Sequence, residues 1–165
     1  MKSIAYRVTG IAVPGAVYWP GPMSALSQNR WEHFPHEADM GVRGVGRSLP
    51  EAFEQAALAL MHVITDPSRV APRATVDIEC DAPDAEFLLV EWLNALIYEM
   101  ATRHMVFGDF SVKIDGTHLR AAARGETMDP RRHEAAVEAK GATLTALHVG
   151  RDPDGLWRAE CVVDV

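Results

Sequence analysis

Cysteine is almost missing from this chain: Cys80 and Cys161 are the two thiols in 165 residues. Without a CxxC pair they build neither a secreted disulfide framework nor a zinc knuckle or redox couple, so both read as small buried hydrophobes. The chain is accordingly expected to work in the cytoplasm. No run of about eighteen apolar residues occurs, which excludes a membrane-spanning helix of the usual kind. Positive charge is also in deficit, since 16 Lys and Arg against 23 Asp and Glu leave a formal charge of -7. Attraction to a phosphate backbone is therefore not the main source of affinity for any partner. Gly44-Val45-Gly46 lacks the remaining glycine of GxGxxG, and the helix after it lacks the Lys-Ser/Thr of a phosphate loop, so nucleotide binding by either device is excluded. No GxSxG occurs, which removes the usual setting of a serine nucleophile.

What is present is an ordinary globular composition, with 48% hydrophobic and 24% charged residues. One domain is implied, and at this length folding removes roughly 70% of the extended chain's surface, so no disulfide or metal staple is required. The start differs from the rest. An apolar stretch over 9–19 follows Lys2 and Arg7, but Pro14-Gly15 interrupts it and no small-x-small cleavage site follows. With Met23 available as a second start, residues 1–29 are expected to be a flexible extension or a misassigned start, and 30–165 the domain.

Ser48-Leu49-Pro50-Glu51 is a capping box with proline in the first turn. Phe53, Ala56, Ala57, Leu60 and Ile64 continue it as one apolar stripe, and Asp66-Pro67 stops it, predicting a helix over 48–65. Ahead of it, Met40, Val42 and three glycines predict a short extended segment. Strict alternation predicts a strand over 74–81. Asp84 caps a second helix whose apolar residues, from Phe87 to Met100, leave a narrow polar strip and predict burial on most sides. Phe110, Val112 and Ile114 alternate into a hairpin with Asp115-Gly116 as a type I′ turn. A loop over 127–132 and strands near 137–149 and 156–165 complete the chain. Strands that follow one another directly, with two main helices placed early, predict an α+β fold: one two-layer domain with a mostly antiparallel or mixed sheet.

The densest polar cluster is Trp31-Glu32-His33-Phe34-Pro35-His36-Glu37-Ala38-Asp39. Its H-x-x-H spacing is not HExxH, and its plainer reading is a polar loop capping nearby backbone. Glu138 and Lys140 would share one face of a strand, either as a surface ion pair or flanking an acidic pocket. Asp164 is the penultimate residue of an otherwise apolar end. Its carboxylate lies beside the terminal carboxylate of Val165, and such a pair repels unless a cation lies between. Hard oxygen donors of this kind suit calcium, magnesium or manganese.

Several blocks together resemble the archease family. His36-Glu37-Ala38-Asp39-Met40-Gly41-Val42-Arg43 is similar to that family's HTAD-hydrophobic-G block, and Gly46-Arg47-Ser48-Leu49-Pro50-Glu51-Ala52-Phe53 to the segment opening its first helix. Glu91-Trp92-Leu93-Asn94 resembles its WLN helix. Gly125-Glu126 through His133, Glu138-Ala139-Lys140 and Val163-Asp164-Val165 follow in the family's order, so the resemblance spans about 31–165. Two positions depart from it: Glu37 stands where threonine is usual, and Thr143-Leu144-Thr145 stands where TYH is common, so any role of that histidine is lost.

The resemblance implies that Asp39, Asp164 and the Val165 terminus bind a divalent cation, calcium foremost, with magnesium or manganese as alternatives. It places His36, Glu138 and Lys140 near that acidic centre as partner contacts. It further implies a protein cofactor, not itself a catalyst, of an RtcB-type GTP-dependent RNA ligase, promoting guanylylation and multiple turnover in tRNA splicing or RNA repair. Two other readings stay open: a general chaperone or adaptor for an RNA-modifying enzyme, and a metal-dependent hydrolase with Asp39 and Asp164 as ligands and His36 as base.

Overall fold

A computed structural model describes residues 28–165 of the chain. The expectation for 1–29 therefore lies almost wholly outside the described residues. Strand β1 (Arg30–His36) turns directly into β2 (Asp39–Gly46), which leads to helix α1 (Leu49–Ile64) and a 3-10 turn (Pro67–Arg69). Strand β3 (Ala74–Asp81), helix α2 (Ala85–Arg103), β4 (Met105–Asp115) and β5 (His118–Thr127) follow, then the one-turn α3 (Pro130–His133), β6 (Gly141–Ala142), β7 (His148–Arg151) and β8 (Trp157–Asp164).

The helix signals act as written. Ser48 caps α1 by accepting the Glu51 N–H at 3.3 Å, and all five stripe residues are buried. Asp84 caps α2 by accepting the Phe87 N–H at 2.9 Å. Helix α2 is less enclosed than its composition predicts: Leu88, Leu89, Trp92, Leu93 and Leu96 are buried, but Phe87 and Tyr98 face outward. Hydropathy counts Phe and Tyr as core, whereas a helix lying on a sheet buries only one face.

Every strand pairing is antiparallel, and the α+β expectation holds, with the strands divided between two sheets. One has the order β1-β2-β8, with β6 and β7 both on the far side of β8; the other is β3-β5-β4. Both helices touch strands of both sheets. The closest approach is at Gly44, where a Cβ would stand 2.0 Å from the Ala52 carbonyl oxygen and 2.3 Å from the Ala56 nitrogen. Glycine there lets α1 lie directly on β2. Between the layers Trp92 is fully buried and donates its indole N–H to the Phe53 carbonyl at 3.1 Å. Fully burying a side chain such as Phe53, Leu60 or Leu93 contributes roughly 1.5–3 kcal/mol each.

Three sequence expectations need correction. Most of the polar run expected as a loop is β1, with Glu37-Ala38 its turn into β2: Trp31 and His33 face α1, where Trp31 stacks on His62 at 3.9 Å and His33 donates to the Ala59 carbonyl at 2.8 Å. Its alternate residues pair outward, Arg43 bridging Glu32 and Glu160. The β4–β5 turn is Gly116-Thr117, one residue later than expected, because Asp115 pairs with His118. Gly116 has φ 62 while Thr117 is not in the positive-φ region, so the two positive angles of a type I′ turn are not both present. Finally, 137–149 is mostly irregular, with β6 and β7 its only strands. Glu138 and Lys140 consequently do not share a strand face. Asn94 and Glu86 on α2 supply hydrogen-bond partners that β6 and β7 would otherwise seek from a further strand.

Candidate functional site

At one end of the larger sheet, the β1–β2 turn meets the end of β8. His36 pairs with Asp39 across the two-residue turn Glu37-Ala38, in which Glu37 adopts φ 51. The β2–β8 register runs to Met40 opposite Val163. Continued by one residue, it sets Asp39 opposite Asp164, with both side chains on the same sheet face. The Val165 N–H donates to Asp39 Oδ1 at 3.4 Å. From β8's other side, the Lys140 N–H donates to the Asp164 carbonyl at 2.8 Å, and Lys140 Nζ donates to the Val165 carbonyl oxygen at 3.3 Å. Asp39, Asp164, Val165 and Lys140 are therefore brought together from three distant parts of the chain.

His36 faces the same corner, and its Nδ1 is buried without a hydrogen-bond partner. Glu138 is different. It is exposed two residues before Lys140, on the rim of a largely apolar cleft of about 760 Å³ that Met100, Met105 and Met128 help to line. It forms no hydrogen bond or ion pair with the aspartates.

Two aspartates set opposite each other place like charges at close range, and the Lys140 ammonium sits on the adjacent Val165 carbonyl oxygen. Among the described residues no three His, Cys, Asp or Glu side chains converge as a metal cluster; what the corner offers is the two aspartate carboxylates and the Val165 carbonyl oxygen. That oxygen-only, open set fits a hard cation such as calcium, magnesium or manganese and does not suit zinc. The thiols take no part: burial pushes Cys161 up to about 12 and half-burial pushes Cys80 up to about 11, far from thiolate reactivity.

Two groups of supporting residues escaped the sequence reading. The side-chain amide of Asn94 grips β6, accepting the Ala142 N–H at 2.8 Å and donating to its carbonyl at 3.4 Å. Since Gly141 pairs with Asp164, this helix residue steadies one side of the acidic corner. Sequence offered a signal in the Trp92-Leu93-Asn94 block, but not its target 48 residues away.

The second group surrounds Glu126, whose side chain is 5% exposed. It accepts from Arg132 at 2.5 Å, Ala71 N at 2.8 Å, His133 Nε2 at 3.0 Å and Arg73 Nε at 3.1 Å. The Arg132 guanidinium first, then the Ala71 N–H, hold this carboxyl well below its ordinary value against the opposing effect of desolvation, with His133 and Arg73 adding to them.

Comparison with known proteins follows the same boundaries as the fold. The sequence model of the archease protein family matches residues 31–165. Protein archease of Pyrococcus furiosus is 44% identical over 140 residues, covering 82% of this chain and 99% of that protein. Protein archease of Methanosarcina acetivorans is 35% identical over 141 residues, covering 82% of this chain and 96% of its own. Among solved structures, the solution structure of protein 1598 of Methanobacterium thermoautotrophicum is 36% identical with a TM-score of 0.72, covering 82% of this chain and 98% of that one. The crystal structure of an archease from Thermotoga maritima, described as a "possible chaperone", shares the fold at 18% identity and a TM-score of 0.56, covering 81% of this chain and 96% of that one.

Proposed function

Because the chain belongs to the archease family, we propose that it is an activating protein cofactor of an RtcB-type GTP-dependent RNA ligase in the cytoplasm, serving tRNA splicing or RNA repair. In this reading the chain performs no ligation. It promotes guanylylation of the ligase and its return for further turnovers. The observation that carries the reading is the acidic corner, where Val165 bonds to Asp39 and the β2–β8 register carries Asp164 to the same end of the sheet.

Asp39, Asp164 and the Val165 terminus would hold a divalent cation, calcium foremost. Such an ion supplies local positive charge able to order phosphate oxygens or a second metal site. This chain's own residues do the rest. The β1–β2 turn presents Asp39 at the tip, and β8 carries Asp164 to the same corner. Lys140 keeps an ammonium on the Val165 carbonyl oxygen, and that ammonium would pair with a partner's phosphate. His36 sets a buried, unpartnered ring nitrogen behind the same turn, and Glu138 extends the contact surface along the neighbouring cleft.

An adaptor or chaperone role is the second reading, favoured by the words attached to the Thermotoga maritima relative. An adaptor binds its client without altering the nucleotide-transfer step. The test is transfer of labelled GMP from GTP to a purified RtcB-type ligase in manganese, with substoichiometric wild-type chain or Asp39→Ala. Strong stimulation by wild type and little by the variant is expected. Absence of stimulation with a cognate ligase would leave the adaptor role, and full activity of Asp39→Ala would remove the acidic corner from the mechanism.

A further inference from the structure

Residues 127–140 deliver Glu138 and Lys140 to the site with only a single helical turn of regular structure. Polar bonds define their path. The segment leaves β5 next to Glu126, which is buried and accepts from Ala71, Arg73, Arg132 and His133. The Asp129 N–H donates to His133 Nδ1 at 2.8 Å. A backbone N–H can only donate, so Nδ1 is the acceptor of that bond, while Nε2 faces Glu126 at 3.0 Å with the Arg132 guanidinium 3.3 Å away.

The His133 ring is wholly enclosed, and its carbonyl accepts from Thr65 Oγ1 at the end of α1. Three residues on, the Ala136 N–H donates to the Ile64 carbonyl at 2.9 Å, and the Lys140 N–H then reaches the Asp164 carbonyl at 2.8 Å. An apolar pair of similar volume would fill the same space, but it would leave the Ala71 and Asp129 N–H groups without acceptors and could not dictate which way the following backbone runs. Directional bonds do that.

Resting on the cofactor reading above, we infer that the buried Glu126–His133 pair is a positioning device, which sets the path of residues 127–140 and so the placement of Lys140 beside the acidic corner and of Glu138 at the neighbouring cleft. Neither residue touches the partner in this scheme. Glu126 acts through His133, and His133 through the backbone it anchors to α1.

The test combines amide hydrogen exchange on the full chain with the guanylylation assay, for wild type, Glu126→Gln and a control, Ile78→Val, which trims a buried side chain in β3. Glu126→Gln turns a pure acceptor toward four donors into a group that also presents N–H, so the ring of bonds opens. The Ala136 and Lys140 amides should exchange about tenfold faster, while Ala121 in β5 keeps its protection. Half-maximal ligase stimulation should require several-fold more protein at an unchanged plateau. Ile78→Val should lower the melting temperature and move neither readout. Should Glu126→Gln not fold, Thr65→Val removes a single hydroxyl contact from the His133 carbonyl and carries the same expected signs. Unchanged exchange at Ala136 and Lys140, or faster exchange with unaltered half-maximal stimulation, would overturn the inference alone. Wild type that fails to stimulate the ligase would instead overturn the cofactor reading, and with it the functional half of the inference.

Discussion

Replacing Asp39 by asparagine keeps the oxygen that accepts the Val165 N–H while removing one negative charge from the corner it shares with Asp164 and the chain terminus. Side chains directly opposite each other in a sheet have Cβ atoms about 5 Å apart. Two unit charges at that separation repel by roughly 0.8 kcal/mol in bulk water and roughly 3 kcal/mol at an effective dielectric constant of about 20. Asp164 is exposed and Lys140 sits on the Val165 oxygen, so the solvated limit governs. In a chelator-containing buffer the variant should therefore be the more stable protein, by on the order of 1 kcal/mol. For a domain of this size that is a rise in Tm of about 3 °C. Calcium at a hundred times its dissociation constant should then stabilise wild type by about 2.7 kcal/mol. The variant, short of one ligand and one charge, should gain far less, and the order of stability should invert. Thermal melts of both proteins in EDTA and in calcium, magnesium or manganese measure this directly. Equal cation-induced shifts in the two proteins, or a variant less stable than wild type in EDTA, would refute the reasoning.

Asn94→Ala should release β6 from α2. The part-buried Ala142 N–H loses its acceptor at 2.8 Å, which costs about 1–3 kcal/mol, and Asp164 loses a steady neighbour, so calcium titration calorimetry should show weaker binding alongside faster exchange at Ala142. Glu126 gives a pH dependence with a defined sign. Its folded carboxyl lies well below the ordinary 4.5, chiefly through Arg132 and the Ala71 N–H, so its stabilisation is complete above that ordinary value and is lost progressively as pH falls below it. Wild-type Tm should consequently fall more steeply below about pH 4.5 than that of Glu126→Gln, which starts lower at neutral pH. Parallel acid limbs in the two melting series would count against Glu126 as the group responsible.

The elements legible in the sequence are those whose determinants are local. Ser48 through Pro67 carries its cap, stripe and stop within twenty residues, and 74–81 alternates cleanly, so both appear where expected. Strand β1 was hidden because its inward side uses Trp31 and His33 against α1, and its outward side uses charge pairs with Arg43 instead of plain solvent exposure. Periodicity finds strands whose two faces differ in polarity. In β1 both faces mix aromatic rings with ionisable groups.

The acidic corner shows the stronger limit. Asp39 and Asp164 are 125 positions apart, and nothing near either residue says that β2 and β8 are neighbours or that their register sets the two opposite each other. Charge repulsion made Asp164 and Val165 suspect as a pair, but Asp39 entered only through resemblance to a family. Lys140 was linked to the corner by the same resemblance, while the reason given from pattern, a shared strand face with Glu138, fails because 134–140 forms no strand. What places Lys140 is its backbone N–H on Asp164 and a route anchored at His133 and Ala136. Those anchors join residues by hydrogen-bond direction, which leaves no period to detect. A segment of this kind is legible only when its buried polar groups are asked where their partners lie: Glu126 and His133, seven residues apart across a single turn, were the places to ask.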